Sequence, residues 1–119
     1  MYKQYILILK KYRDVSKGKF GAHCGHAALT AALNGGVSTD RFIEWYGKAQ
    51  TKILKVVPTL NKLKTIIEGA MAQGYGASLI PDNGASGEVP KGTVIMGCVG
   101  PITEDEAADM GILKLSNLK

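Results

Sequence analysis

Three short stretches of this 119-residue chain carry side chains that packing alone does not require. The first is Lys17-Gly18-Lys19, at the start of a predicted helix. Free amides and the positive end of the helix dipole favour an anion there, and two lysines strengthen the attraction. The spacing is not that of a G-x-x-x-x-G-K-[ST] phosphate loop, and a solvated basic helix start accounts for the same residues. The second stretch is His23, Cys24 and His26, one turn further on. His23 and His26 are three apart and share a helix face, as two metal ligands would. No second cluster supplies the missing ligands, so no metal is expected. Cys24 sits among small residues, where burial makes a thiol inert, and His26 reads as a packed or hydrogen-bonded histidine. The third stretch is the loop Pro81-Asp82-Asn83-Gly84-Ala85-Ser86. Asp82 suits a proton acceptor or water-orienting group, and Ser86 a donor to a developing oxyanion. Asp82-Asn83-Gly84 is also an ordinary turn sequence. Spacing leaves both readings open.

The elements that must position these residues follow from periodicity. Residues 4–9 form a short apolar run bounded by Lys10-Lys11, as a buried strand does. Ser16 is placed to cap a helix over residues 17–33, closed by Asn34-Gly35-Gly36. That helix is rich in Gly and Ala, which permit close backbone approach at some cost in helix propensity. Ser38 or Thr39 caps a second helix ending at Tyr46, and residues 52–57 form a strand stopped by Pro58. Thr59 caps a third helix, with Leu60, Leu63, Ile66, Ile67, Ala70 and Met71 at helical spacing and Gly74 ending it. A short strand over residues 77–80 feeds the turn-rich loop over 81–92, and residues 93–99 are the most strand-like of all. Thr103 and Glu106 make a capping box for a last short helix; the tail over 112–118 is a further strand or an extended segment. Alternating strands and helices predict a single α/β domain over residues 1–119.

Composition is that of an ordinary globular chain, 45% hydrophobic and 21% charged. No apolar run is long enough for a signal-peptide core or a membrane span, so the expectation is a cytoplasmic protein whose Cys24 and Cys98 stay reduced. The net charge of +5 favours a polyanionic partner. Lys3, Lys10, Lys11, Arg13, Lys17 and Lys19 crowd the first twenty residues against Asp14 alone, whereas Glu104, Asp105, Glu106 and Asp109 gather late.

Taken in order, these segments resemble the type 2 peptidyl-tRNA hydrolases, the archaeal and eukaryotic class. Lys17 to Ala28 reads KGKFGAHCGHAA where that family carries K-G-K-x-A-A-Q-C-x-H-A-A. Trp45 followed by Lys52-Ile53-Leu54-Lys55-Val56-Val57 is similar to the family's W-x-x-x-G-Q-x-K-V-V-L-K-V. Asp82 to Ser86, Pro90-Lys91-Gly92-Thr93, Gly100-Pro101 and Ile112-Leu113-Lys114-Leu115 follow the family's D-x-G-R-T, P-G-T, G-P and H-L-K-L segments. The resemblance implies a mixed four-stranded sheet flanked by helices, often a homodimer, and hydrolysis of the ester between a peptide and tRNA. It places the family's lysine on Lys19, its aspartate on Asp82, its loop threonine on Ser86 and its threonine after P-G on Thr93. It implies no metal or organic cofactor. The basic residues Lys10, Lys11, Arg13 and Lys17 would then steer tRNA.

Four positions depart from the pattern. His23 replaces a glutamine and adds a titratable group; Ala85 replaces an arginine, removing a phosphate or carboxylate partner. Ser86 keeps the hydroxyl without the methyl, and Gly21 replaces an alanine. These departures motivate an alternative of another class, an RNA- or protein-binding module that has lost ester cleavage. A hydrolase for a different acyl or amide substrate is the third reading.

Overall fold

The strand that opens the chain, β1 (Lys3–Leu9), is buried along nearly its whole length. Only a central strand covered on both faces tolerates so continuous an apolar run. Its residues alternate accordingly. Tyr5, Leu7 and Leu9 enter one hydrophobic cluster, with Leu63, Ile66 and Ile67, and Ile6 and Ile8 enter a second, with Ala27, Ala28 and Ala31. The computed structural model describes residues 1–119. In it β1 pairs in parallel with β2 (Lys52–Val57) and antiparallel with β4 (Val94–Ile102). β3 (Ala77–Pro81) pairs antiparallel with β4, and a two-residue strand, β5 (Ser116–Asn117), pairs antiparallel with β2. The sheet order is β3-β4-β1-β2-β5. Strands β1, β2 and β3 therefore point the same way, and their C-terminal ends share one edge of the sheet.

The sheet has five strands, not the four expected from the sequence. The extra one is β5, whose two residues, Ser116 and Asn117, are polar and exposed. A strand that short, held only by its pairing with Lys55 and Val56, leaves no periodic trace. Two smaller differences have similar causes. A 3₁₀ turn at Lys10–Tyr12 follows β1, and β4 continues to Ile102 through the Gly100-Pro101 step, where its register with β1 shifts.

Helix α1 (Lys17–Gly35) covers one face, lying over β3 and β4. Helices α3 (Leu60–Ala72) and α4 (Glu104–Asp109) contribute Leu63, Ile66, Ile67, Ala70 and Ala107 to the other. Thr59 caps α3 by accepting from the Lys62 N–H, Thr39 caps α2 (Asp40–Gly47) by accepting from the Phe42 N–H, and Thr103 and Glu106 form the expected capping box. Trp45 of α2 is buried and donates its indole N–H to the Thr51 carbonyl at 2.9 Å.

The small residues of α1 serve close approach. A Cβ on Gly76 would collide with the Ala31 carbonyl oxygen and lie 3.1 Å from the Gly35 Cα, so the last turn of α1 rests on backbone alone. Three side chains tie the helix down between polar groups that burial would otherwise leave bare. Gln4 donates to the Ala28 carbonyl at 2.8 Å, Ser78 to the Ala27 carbonyl at 2.8 Å, and Asn34 to the Ala77 carbonyl at 2.9 Å.

Candidate active site

The N-terminus of α1 and the loop after β3 meet at the sheet edge formed by the C-terminal strand ends, a common position for sites in α/β folds. The loop folds by local chemistry. Asp82 accepts the Gly84 N–H on Oδ1 at 2.6 Å, Asn83 accepts the Ala85 N–H at 2.9 Å, and Gly84, Gly87 and Gly92 take positive φ. Its ends are pinned across the loop: the Asp82 N–H donates to the Thr93 carbonyl at 2.8 Å, and the Gly92 N–H to the Asp82 carbonyl at 2.6 Å. Asp82-Asn83-Gly84 thus forms the turn that its residue types suggest. The turn is what holds the carboxylate in place.

Three of the residues singled out from sequence converge on that carboxylate or on its partner lysine. Lys19 Nζ lies 2.5 Å from Asp82 Oδ2, with side chains 7% and 0% exposed, so this is a buried ion pair rather than a surface one. His23 Nε2 lies 2.8 Å from the same Oδ2. Lys19 also donates to Ser86 Oγ at 2.7 Å. These contacts hold the Asp82 carboxyl down at about 2, the Lys19 ammonium acting most strongly, then His23, against the opposing effect of burial, with the Gly84 N–H assisting. An ionised carboxylate only accepts, so His23 Nε2 donates this bond, while the ring's other nitrogen, Nδ1, is buried without a hydrogen-bond partner.

Other expectations fared differently. Thr93 contributes its backbone carbonyl to the Asp82 N–H. Ser16 occupies the cap position of α1, but its hydroxyl donates to Glu88 at 2.7 Å and does not cap the helix. Glu88 also accepts the Ser16 N–H at 2.9 Å, and these two bonds, its backbone one first, hold its carboxyl below the usual range. Glu88 therefore ties the loop to the helix start, a role its sequence position gave no sign of. His26 is neither packed nor hydrogen-bonded: it is exposed, its ring edge-on to His23 at 5.9 Å. Cys24 is half-buried and Cys98 fully buried, and burial pushes both thiols up. Lys10, Lys11, Arg13 and Lys17 are exposed near the same edge, and Ala85 is an exposed loop residue.

An ammonium held between a carboxylate and a hydroxyl, beside the free amides of a helix start, presents N–H donors of the kind that suit an oxyanion or a phosphate. The profile of the family described as Peptidyl-tRNA hydrolase PTH2 matches residues 2–115. A peptidyl-tRNA hydrolase of Nanoarchaeum equitans is 38% identical over 118 residues, covering 97% of this chain and 99% of the relative. One from Thermoplasma acidophilum is 32% identical over 107 residues, 89% of this chain and 91% of its own length. One from Thermococcus onnurineus is 32% identical, with 87% of each covered. The chain belongs to the PTH2 family of peptidyl-tRNA hydrolases. No helix is long and apolar enough to cross a membrane.

The histidine offers a first prediction. His23→Gln keeps an N–H to donate to Asp82 Oδ2, whereas His23→Leu removes that donor and leaves the carboxylate with Lys19 and the Gly84 N–H. Peptidyl-tRNA hydrolysis by His23→Gln should stay within about threefold of the native rate, and that by His23→Leu should fall by about tenfold, the equivalent of one ordinary hydrogen bond. Equal rates in the two variants would remove His23 from this role.

Proposed function

We propose that this chain hydrolyses the ester joining the carboxyl of a peptide, or of an N-acyl-aminoacyl group, to the terminal ribose of tRNA, with Lys19 at the reacting carbonyl and Asp82 behind it. The observation that carries this reading is the clamp on Lys19. Two of its three N–H groups are held, by Asp82 and Ser86, which leaves the third for the substrate oxygen. Water attacks the ester carbon and the carbonyl oxygen gains negative charge, which Lys19 and the first-turn amides of α1 stabilise. The bond to the ribose oxygen then breaks, and that oxygen receives the proton lost by the water. A carboxylate held at about 2 is a weak base, so Asp82 acts chiefly by fixing Lys19 and orienting water. His23 holds the same Oδ2 of Asp82, Ser86 positions the ammonium, and Thr93 anchors the loop.

On this reading Lys10, Lys11, Arg13 and Lys17 attract tRNA, the protein works in the cytoplasm as one domain over residues 1–119, and it needs no cofactor. Exposed Leu29 and Leu33 on α1, and Ile43 and Tyr46 on α2, support a homodimer that covers them. His23 and the uncharged Ala85 favour the second reading, an RNA- or protein-binding module without ester cleavage. Release of labelled N-acyl-aminoacyl groups from tRNA by the purified protein tests the proposal. Turnover supports it; tRNA binding with no release supports the module; release insensitive to tRNA and to salt points to another acyl substrate.

A further inference from the structure

We propose that the backbone of the tRNA runs from the ester at Lys19 along the C-terminal sheet edge into a basic groove at its far side, beyond β2. This inference rests on the proposed activity for the identity of the substrate, and on the following geometry for the path. The groove has a volume of about 730 Å³. Its basic walls come from four separate parts of the chain: Lys10 and Arg13 after β1, Lys62 on α3, Lys114 before β5, and Lys119 after it. Asp14 is the one carboxylate side chain in the lining, and it lies 3.8 Å from Arg13. Lys10, Lys62, Lys114 and Lys119 have no carboxylate partner within ion-pair distance. A concave surface with this surplus of unpaired cations focuses a positive potential that draws in a polyanion.

A second cavity, of about 470 Å³, lies along the same sheet edge, between this groove and the end of the loop that carries Asp82. The two share Pro58 at the end of β2. The second is lined by Lys11, Tyr12, Lys64, Gly92 and Thr93, and Thr93 is the residue whose carbonyl holds the Asp82 N–H. Between β3, which leads into the Asp82 loop, and β2 lie three strand intervals, or roughly 14 Å. A flexible nucleic-acid strand that leaves its terminal ribose at Lys19 can follow Lys11 and Lys64 to Lys10, Lys62 and Lys114. Tyr12, half-buried with Lys11 Nζ 5.6 Å from its ring centroid, offers a face for a base along the way.

The test compares two double variants of equal net charge. Lys62→Ala with Lys114→Ala strips the groove of two cations; Lys48→Ala with Lys52→Ala removes two exposed lysines at the opposite end of β2. The readouts are KM for N-acetyl-aminoacyl-tRNA, Kd for deacylated tRNA, and the dependence of both on salt. The groove pair should raise KM and Kd by about tenfold at low salt and reduce the slope of log K against log salt by roughly 0.7–0.9 for each phosphate no longer neutralised. The distant pair should change neither beyond about twofold. Identical KM, Kd and slope in the two pairs would overturn the path. If the native protein released nothing from tRNA while Kd still depended on the groove pair, the groove would stand and the hydrolase reading would fall.

Discussion

Asp82→Asn is expected to lower turnover of N-acyl-aminoacyl-tRNA by about 10²- to 10⁴-fold, although the two side chains have nearly the same shape. The reason is a count of acceptors. Asp82 takes Lys19 and His23 on Oδ2 and the Gly84 N–H on Oδ1, so every bond its side chain makes is one it accepts. An amide has one accepting end. Whichever way it is turned, its NH₂ faces a donor, either the Lys19 and His23 pair or the Gly84 amide, and the charge that orients Lys19 is lost. The effect should appear in single-turnover chemistry with tRNA affinity little altered; a variant as fast as the native protein would reduce Asp82 to a turn residue. The pH behaviour follows from the same contacts. The carboxyl lies at about 2 against an ordinary 3.8, so the stabilisation from its ionised form is complete above 3.8 and is lost as pH falls from there through about 2. In the neutral range Asp82 is a fixed negative charge.

Lys19→Met should be nearly as severe, about 10²- to 10³-fold in kcat, the range for losing one donor to a developing oxyanion. Methionine keeps the length and much of the apolar stem but not the charge, and it leaves Ser86 Oγ and Asp82 Oδ2 without the ammonium between them. The way the loss divides between kcat and KM separates two roles for this lysine. A fall in kcat with KM steady places it at the ester carbonyl. A rise in KM that salt reproduces in the native protein would place it at a tRNA phosphate instead.

The fold was legible where side-chain period and capping chemistry agree. Thr59, Thr103 and Glu106 announce their helices because each makes its bond to a backbone amide within three residues. β1 reads directly as an apolar run, and β2 as a strand stopped by Pro58. Long-range partners carry no such local mark. Ser16 looks like a cap by type, yet its hydroxyl goes to Glu88, 72 residues away. Glu88 itself sits among glycines and prolines in a stretch that reads as featureless loop. His26 and His23 are alike in sequence, and only the direction of α1 decides that one meets Asp82 and the other meets solvent. The grouping of Lys19, His23, Asp82 and Ser86 was reached through the order of motifs along the chain, since local chemistry left each with an ordinary structural explanation. Lys62 and Lys114 were invisible as a pair, because the groove they share exists only once β5 lies against β2.

Seating α1 by backbone contact at Gly35 and Gly76 makes the helix a lever whose pivot is remote from the chemistry it serves. Nineteen residues span roughly 28 Å, with the pivot at one end and Lys19 in the first turn of the other. A side chain added at the pivot tilts the whole arm, and the far end sweeps the largest distance. Because reacting groups displaced by about 1 Å can lose a hundredfold in rate, alignment of Lys19 with Asp82 is set in part by two residues that carry no functional group. Tolerance to substitution in this protein should therefore not fall off smoothly with distance from the site; it should dip again at the far end of the arm.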